Sequence, residues 1–161
     1  MNYDLKQFES DIQSLNEQWG NPTLDPVVMS EDEIWQGIQR QYNVTLEEIK
    51  EIGSGIESRN HNEVLDGIVD GLFTLVRFIS LTRNMYDVDG AMKAVVDNNK
   101  LKCSTNVDYF DKLGYKSEYT VTGTEFLTTG RTWYCLKNEN GKVCKYDNFP
   151  TVELSGFIRK Y

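Results

Sequence analysis

Leu65, Val69, Leu72, Val76 and Ile79 recur at steps of three and four through residues 62–82, the strongest periodic signal in the chain. Apolar side chains at that spacing share one face of an α-helix; a strand, whose faces alternate at every residue, cannot gather them. The centre of the chain is therefore expected to be helical, and its neighbours follow suit. Residues 3–19 carry Leu5, Phe8, Ile12, Leu15 and Trp19 at helical spacing, until Gly20, Pro22 and Pro26 break the pattern. A new helix is predicted near Ser30, where Glu33 three residues on completes a capping box. Ile34, Trp35, Ile38 and Tyr42 form its apolar stripe, continued by Ile49, Ile52 and Ile56 to about Glu57. Thr45, followed by Glu48, offers either a second start or a break within one long helix. After a turn around residues 87–89, residues 90–102 read as a further helix.

Beyond residue 102 the texture changes. Tyr119–Thr122 and Thr132–Leu136 are β-branched, aromatic or alternating, and NENGK between WYCLK and VCKY reads as a hairpin loop. The expected architecture is mainly α, with residues 1–102 as a helical body and 103–161 as a small β-hairpin or extended arm of the same domain.

A length of 161 residues suits one domain, and 39% hydrophobic with 26% charged residues is ordinary for a soluble globular protein. No apolar run approaches the roughly 20 residues that span a bilayer, and MNYDLKQFES has no basic start leading into an apolar stretch. Cys103, Cys135 and Cys144 show no metal-ligand spacing and read as free thiols of a reducing cytoplasm. The net charge of −8 argues against a general affinity for nucleic acid, whose phosphates call for Lys and Arg. It does not exclude a polyphosphate, because bound cations invert local charge.

Two acid pairs carry the functional reading. Glu48 and Glu51 form an ExxE on one central helix; Glu63 and Asp66 form an ExxD on the next, with Asp70 one turn later. Positions i, i+3 and i+7 fall on one helical face, so Glu63, Asp66 and Asp70 make one acidic stripe. Carboxylates crowded beside a core repel one another and are partly desolvated, which raises their pKa values unless a cation joins them. Mg²⁺, a hard ion taking carboxylate, water and phosphate oxygens, is the expected cofactor, with Mn²⁺ as a substitute. Gly67 and Gly71, set inside an otherwise strong helix, point to close approach of a substrate or of another helix. A solvated acidic face is the plainer reading of either pair alone.

The stretch from Leu46 to Leu75 resembles the MazG-like, all-α nucleotide pyrophosphohydrolase superfamily, in particular its phosphoribosyl-ATP pyrophosphohydrolase-like branch found in phages and bacteria. Glu47, Glu48 and Glu51 match the EExxE helix of that family, and Glu63, Asp66 and Asp70 its ExxDxxxD helix. Asn98, Asn99 and Lys102 match its SNxxK segment with Asn for Ser, and GKVCKYDNFP, residues 141–150, resembles its closing segment apart from the proline's position.

The resemblance implies a four-helix bundle formed with a partner subunit, in a homodimer or homotetramer. It implies Mg²⁺-dependent cleavage of a (deoxy)nucleoside triphosphate to the monophosphate and pyrophosphate. Glu48, Glu51, Glu63 and Asp66 would be the catalytic metal ligands, with Asp70 assisting. Asn99, Lys102, Lys142 and Lys145 would meet phosphate or sugar, although solvated hairpin charges explain the last two as well. The alternatives are a non-catalytic nucleotide-sensing or oligomerisation protein on the same scaffold, and a phosphoribosyl-ATP pyrophosphohydrolase. Residues 103–140 form a longer insert than the family has, rich in aromatics (Tyr109, Phe110, Tyr115, Tyr119, Phe126, Trp133 and Tyr134) that either stack a base or form a small core. His61, without a partner of metal-binding type, reads as a surface or capping residue, and Arg77 as a salt-bridge or phosphate contact.

Overall fold

The computed structural model describes residues 5–21, 23–126 and 130–160. Residues 3, 4 and Pro22, and the side chains of Leu5 and Phe126, all used in the sequence reading, lie outside the described set. The protein is mainly helical with a small three-stranded antiparallel sheet. It divides into two compact units, Met1–Val88 with Phe157–Tyr161, and Asp89–Gly156.

The first unit holds α1 (Leu5–Gln18), α2 (Glu31–Glu57) and α3 (His61–Thr82). Ser30 caps α2 as expected: its Oγ accepts from the Glu33 N–H at 3.3 Å, and Glu33 Oε2 accepts from the Ser30 N–H at 2.8 Å. The helix then runs unbroken for 27 residues, about 40 Å at 1.5 Å per residue. Thr45 starts nothing new, because its hydroxyl donates back to Gln41 O at 3.0 Å within the same helix. Ser58 to Asn60 reverse the chain, with Arg59 in the left-handed region at φ 55°. Asn60 Oδ1 then accepts from the N–H groups of Asn62 and Glu63, satisfying donors that the first turn of α3 leaves open.

The antiparallel α2–α3 hairpin meets through small and polar residues. Gly55 faces Val64, Gly67 faces Ile52 and the Glu48 carbonyl, and Gly71 faces Glu48 Cβ and Ile49. Farther along, the buried Gln41 amide donates to Thr74 O at 3.0 Å. Thus Gly67 and Gly71 serve the approach of another helix. The apolar stripes that dominate the sequence enter this seam only in part, through Ile52 and the tip of Ile49. Leu65 (62% exposed) and Leu72 (41%) on α3, with Ile49 (49%) and Ile56 (63%) on α2, stand open in the single chain.

The intrachain core of this unit lies where α1 crosses α3. Phe8 and Trp19 both pack on Phe73, at centroid distances of 6.3 and 6.1 Å, and Ile12 is buried. Leu24 fills the space over Gly37, and its N–H donates to Leu81 O at 2.9 Å. The chain's last residues return here: Asp87 N–H donates to Phe157 O and Arg159 N–H to Met85 O, both at 2.8 Å.

The second unit contains nearly all of α4 (Val88–Lys100), then β1 (Cys103–Ser104), α5 (Tyr109–Leu113), β2 (Thr120–Phe126) and β3 (Arg131–Lys137). The sheet order is β1-β3-β2, with Cys103 opposite Cys135 and Thr120 opposite Lys137. The hairpin therefore pairs β3 with the stretch before it; the expected pairing of WYCLK with VCKY shrinks to one bridge, Lys137 to Val143. The seven residues of β2, four of them β-branched, offer a full ladder, whereas Asn138 ties up the NENGK turn through bonds to the backbone of Asn140, Gly141 and Lys142. Phe110 and Leu136 are fully buried, and Tyr109, Tyr146 and Phe149 continue an edge-to-face chain from Phe110. Two of the insert aromatics, Tyr109 and Phe110, thus build a core.

Candidate functional site

The acids sit where α2 and α3 approach most closely. Because Gly67 and Gly71 present no side chains to α2, the Glu48 backbone and Cβ come within van der Waals reach of α3. That contact delivers the half-buried Glu48 side chain to the edge where Asp66 and Asp70 emerge. Burial raises the Glu48 pKa above the ordinary carboxylate range, and the negative charges of Glu51, Asp70, Glu47 and Asp66 raise it further. The charges that raise it are carboxylates. Such a group stays crowded unless a cation arrives.

Glu63 stands apart from this set. Its carboxylate accepts from Ser58 Oγ at 3.2 Å, at the interhelical turn, so it is drawn toward the end of the hairpin. Among the described residues, no three His, Cys, Asp or Glu side chains stand close enough to enclose a metal ion. The donor chemistry nonetheless fits Mg²⁺, which keeps several waters and substrate oxygens and uses only one or two carboxylates rather than a protein cage. Glu48, Glu51, Asp66 and Asp70 are the carboxylates close enough to influence one another, and they are the residues that could offer such an ion oxygen ligands.

Within the second unit, two of the substrate residues implied by resemblance come together. Lys102 Nζ and Lys145 Nζ lie over the same Phe149 ring, at 6.0 and 5.3 Å from its centroid. Asn98 Nδ2 donates to Pro150 O at 2.9 Å, tying the end of α4 to the same segment. Asn99 is exposed, and Lys142 lies on the NENGK turn with its N–H bonded to Asn138 Oδ1 at 2.9 Å. His61 is exposed at the first position of α3.

One feature escaped the sequence reading: a cavity of about 370 Å³ between α1 and α3, lined by Asn16, Glu17 and Arg77 among others. The Arg77 guanidinium lies 5.9 Å from the Trp19 ring centroid. No periodicity signals such a place, since it depends on how two helices cross. No family model, curated protein or solved structure matches the chain.

Proposed function

We propose that this protein is a divalent-cation-dependent nucleotide pyrophosphohydrolase of the MazG-like, all-α kind, cleaving a (deoxy)nucleoside triphosphate to the monophosphate and pyrophosphate. The observation that carries the reading is Glu48, half-buried among Glu51, Asp66 and Asp70 at a glycine-lined helix crossing, with its pKa raised by burial and by those neighbours. Phosphoryl transfer needs positioning and charge stabilisation more than a protein nucleophile. A bound Mg²⁺ would supply neutralisation of the phosphates and a more acidic water. The carboxylates of Glu48, Glu51, Asp66 and Asp70 would hold that cation, and one glutamate of the set would take a proton from water. Lys102 and Lys145, converging on Phe149, form a paired cationic patch of the kind that meets phosphate.

A second copy of the chain is the proposed partner. Trp35, Tyr42, Ile49 and Ile56 are exposed at seven-residue steps along α2, and Leu65 and Leu72 repeat the same step on α3. Seven-residue apolar steps on two neighbouring helices suit a bundle completed by two more helices.

The Ser58–Glu63 hydrogen bond favours a second reading, a non-catalytic nucleotide-sensing protein in which Glu63 caps a turn rather than ligating metal. Pyrophosphate release from a nucleotide panel that includes phosphoribosyl-ATP, with and without Mg²⁺, separates the two. The hydrolase reading expects Mg²⁺-dependent release, lost by about a hundredfold or more in Asp66→Asn with folding retained, since even residues behind metal ligands cost 10- to 100-fold. No release from any nucleotide sinks it.

A further inference from the structure

Cys103 on β1 stands directly opposite Cys135 on β3 in an antiparallel pair. Opposed residues put their side chains on the same face of a sheet, so the two thiols project together. The kind of pair follows from the neighbouring residue. Leu136 O accepts from the Cys144 N–H at 2.8 Å, on the edge of β3 that β2 does not occupy. Main-chain groups alternate sides along a strand, so Cys135 directs its own toward Thr122 of β2. Cys103 and Cys135 are therefore a non-hydrogen-bonded pair, the register in which opposed Cα atoms approach to about 4.5 Å and side chains lie closest. A disulfide spans Cα separations of about 4.4–6.8 Å, and here it can close with little movement of either strand.

The two thiols already lie within hydrogen-bonding reach of each other. Cys144 does not compete. It lies beside Leu136, whose side chain leaves β3 on the face opposite to that of Cys135, and its own thiol donates to Lys142 O at 3.3 Å. Access is unequal: Cys135 is buried and Cys103 half-buried, which makes Cys103 the thiol that a small oxidant reaches. Burial first, and then Cys135 beside it, raises the Cys103 thiol pKa above its ordinary range, against the opposing charge of Lys102. The pair therefore rests protonated and closes slowly, since the thiolate is the attacking form.

We propose that Cys103 and Cys135 form a reversible dithiol–disulfide couple that locks the two-residue strand β1 onto β3 when a small-molecule disulfide such as oxidised glutathione is in excess. The Cys103 thiolate attacks one sulfur of that disulfide, whose S–S bond breaks and releases one glutathione. The Cys135 thiolate then attacks the Cys103 sulfur of the mixed disulfide and releases the second glutathione. Two protein thiols are oxidised, one small disulfide is reduced to two thiols, and the protons lost by the cysteines pass to the released glutathione. The bond closes the loop that carries α5 and β2, and it fixes the backbone immediately after Lys102. The couple stands on the sheet alone and is independent of the hydrolase reading.

The test equilibrates the full chain with oxidised glutathione, alkylates the remaining thiols with iodoacetamide and maps the products by mass spectrometry. A Cys103–Cys135 linked peptide with Cys144 alkylated is expected, and dithiothreitol should return all three cysteines to the alkylated form. The link should persist in Cys144→Ser. Cys135→Ser should stop at glutathione on Cys103; because that change falls in the core, Cys103→Ser at the more accessible partner is the second check and should leave Cys135 unlinked. A cross-link restricts the unfolded chain, so the oxidised protein should melt roughly 5 °C or more above the reduced one. Three alkylated cysteines after prolonged oxidation overturn the proposal, as do a link that includes Cys144 and an oxidised form that melts at or below the reduced one.

Discussion

Gly67 on α3 lies so close to Ile52 on α2 that a Cβ there would stand 2.9 Å from Ile52 Cγ1 and 3.0 Å from its backbone nitrogen. The nitrogen belongs to a helix and cannot swing aside. Gly67→Ala should therefore destabilise the fold by about 1–3 kcal/mol, as overpacking does, despite the ~1 kcal/mol by which Ala is the better helix former. Gly53 supplies the contrast, since within α2 a Cβ there meets nothing within 4 Å. Gly53→Ala should stabilise by ~0.5–1 kcal/mol. Urea unfolding of both variants reads the difference; midpoints moving the same way would mean that the helices do not cross at Gly67.

Glu48 leads to a pH dependence. Its folded pKa is raised by burial and by neighbouring carboxylates, so the folded chain keeps this proton at pH values where the unfolded chain has lost it. Stability contributed by this residue is greatest at low pH and falls as pH rises from the ordinary glutamate range through the raised value. Glu48→Gln, unable to ionise, should match the wild type below that range and exceed it at neutral pH. Added Mg²⁺ should raise the neutral-pH melting temperature of the wild type more than that of the variant. A variant less stable than wild type at neutral pH, without metal, would contradict the sign.

Much of this arrangement was readable from spacing alone. Steps of three, four and seven located α1 to α4 to within two residues, and they placed Asp66 and Asp70 on one edge together. Periodicity gives the direction of a face but not what covers it. Leu65, Leu72, Ile49 and Ile56 looked like core and are open in the single chain, while the helices touch through Gly55, Gly67 and Gly71. The bond from Ser58 to Glu63 depends on a side-chain rotamer at a turn, which no pattern encodes. The NENGK turn predicts a hairpin, but the seven-residue ladder that β2 offers β3 satisfies more backbone groups than the single bridge from Lys137 to Val143.

The start of α2 is held by the Ser30–Glu33 capping box. Ser30 Oγ accepts from the Glu33 N–H, and the Ser30 N–H is taken by the Glu33 carboxylate. Removing the hydroxyl leaves that donor to water, and Ser30→Ala should cost about 1 kcal/mol. Ser30→Asp, which keeps a capping oxygen, should restore most of it. Chemical unfolding of the pair checks this, and equal loss in both would show that the cap oxygen contributes nothing.

The open stripes on α2 and α3 carry the last prediction. Contiguous exposed apolar surface on this scale is uncommon on a monomer and is costly to leave in water. A second copy brings matching stripes, and packing between four helices would bury Ile49, Ile56, Leu65 and Leu72, which stand open in the single chain. Wild-type protein should then sediment at twice the chain mass or a multiple of it, with a melting temperature that rises with concentration because unfolding is coupled to dissociation. Placing charge on the seam with Ile49→Glu and Leu72→Glu should give monomers with a concentration-independent and lower melting temperature, since carboxylates buried at an interface without partners are strongly unfavourable. Wild type that sediments at single-chain mass at every concentration would remove the dimer, and with it the four-helix bundle.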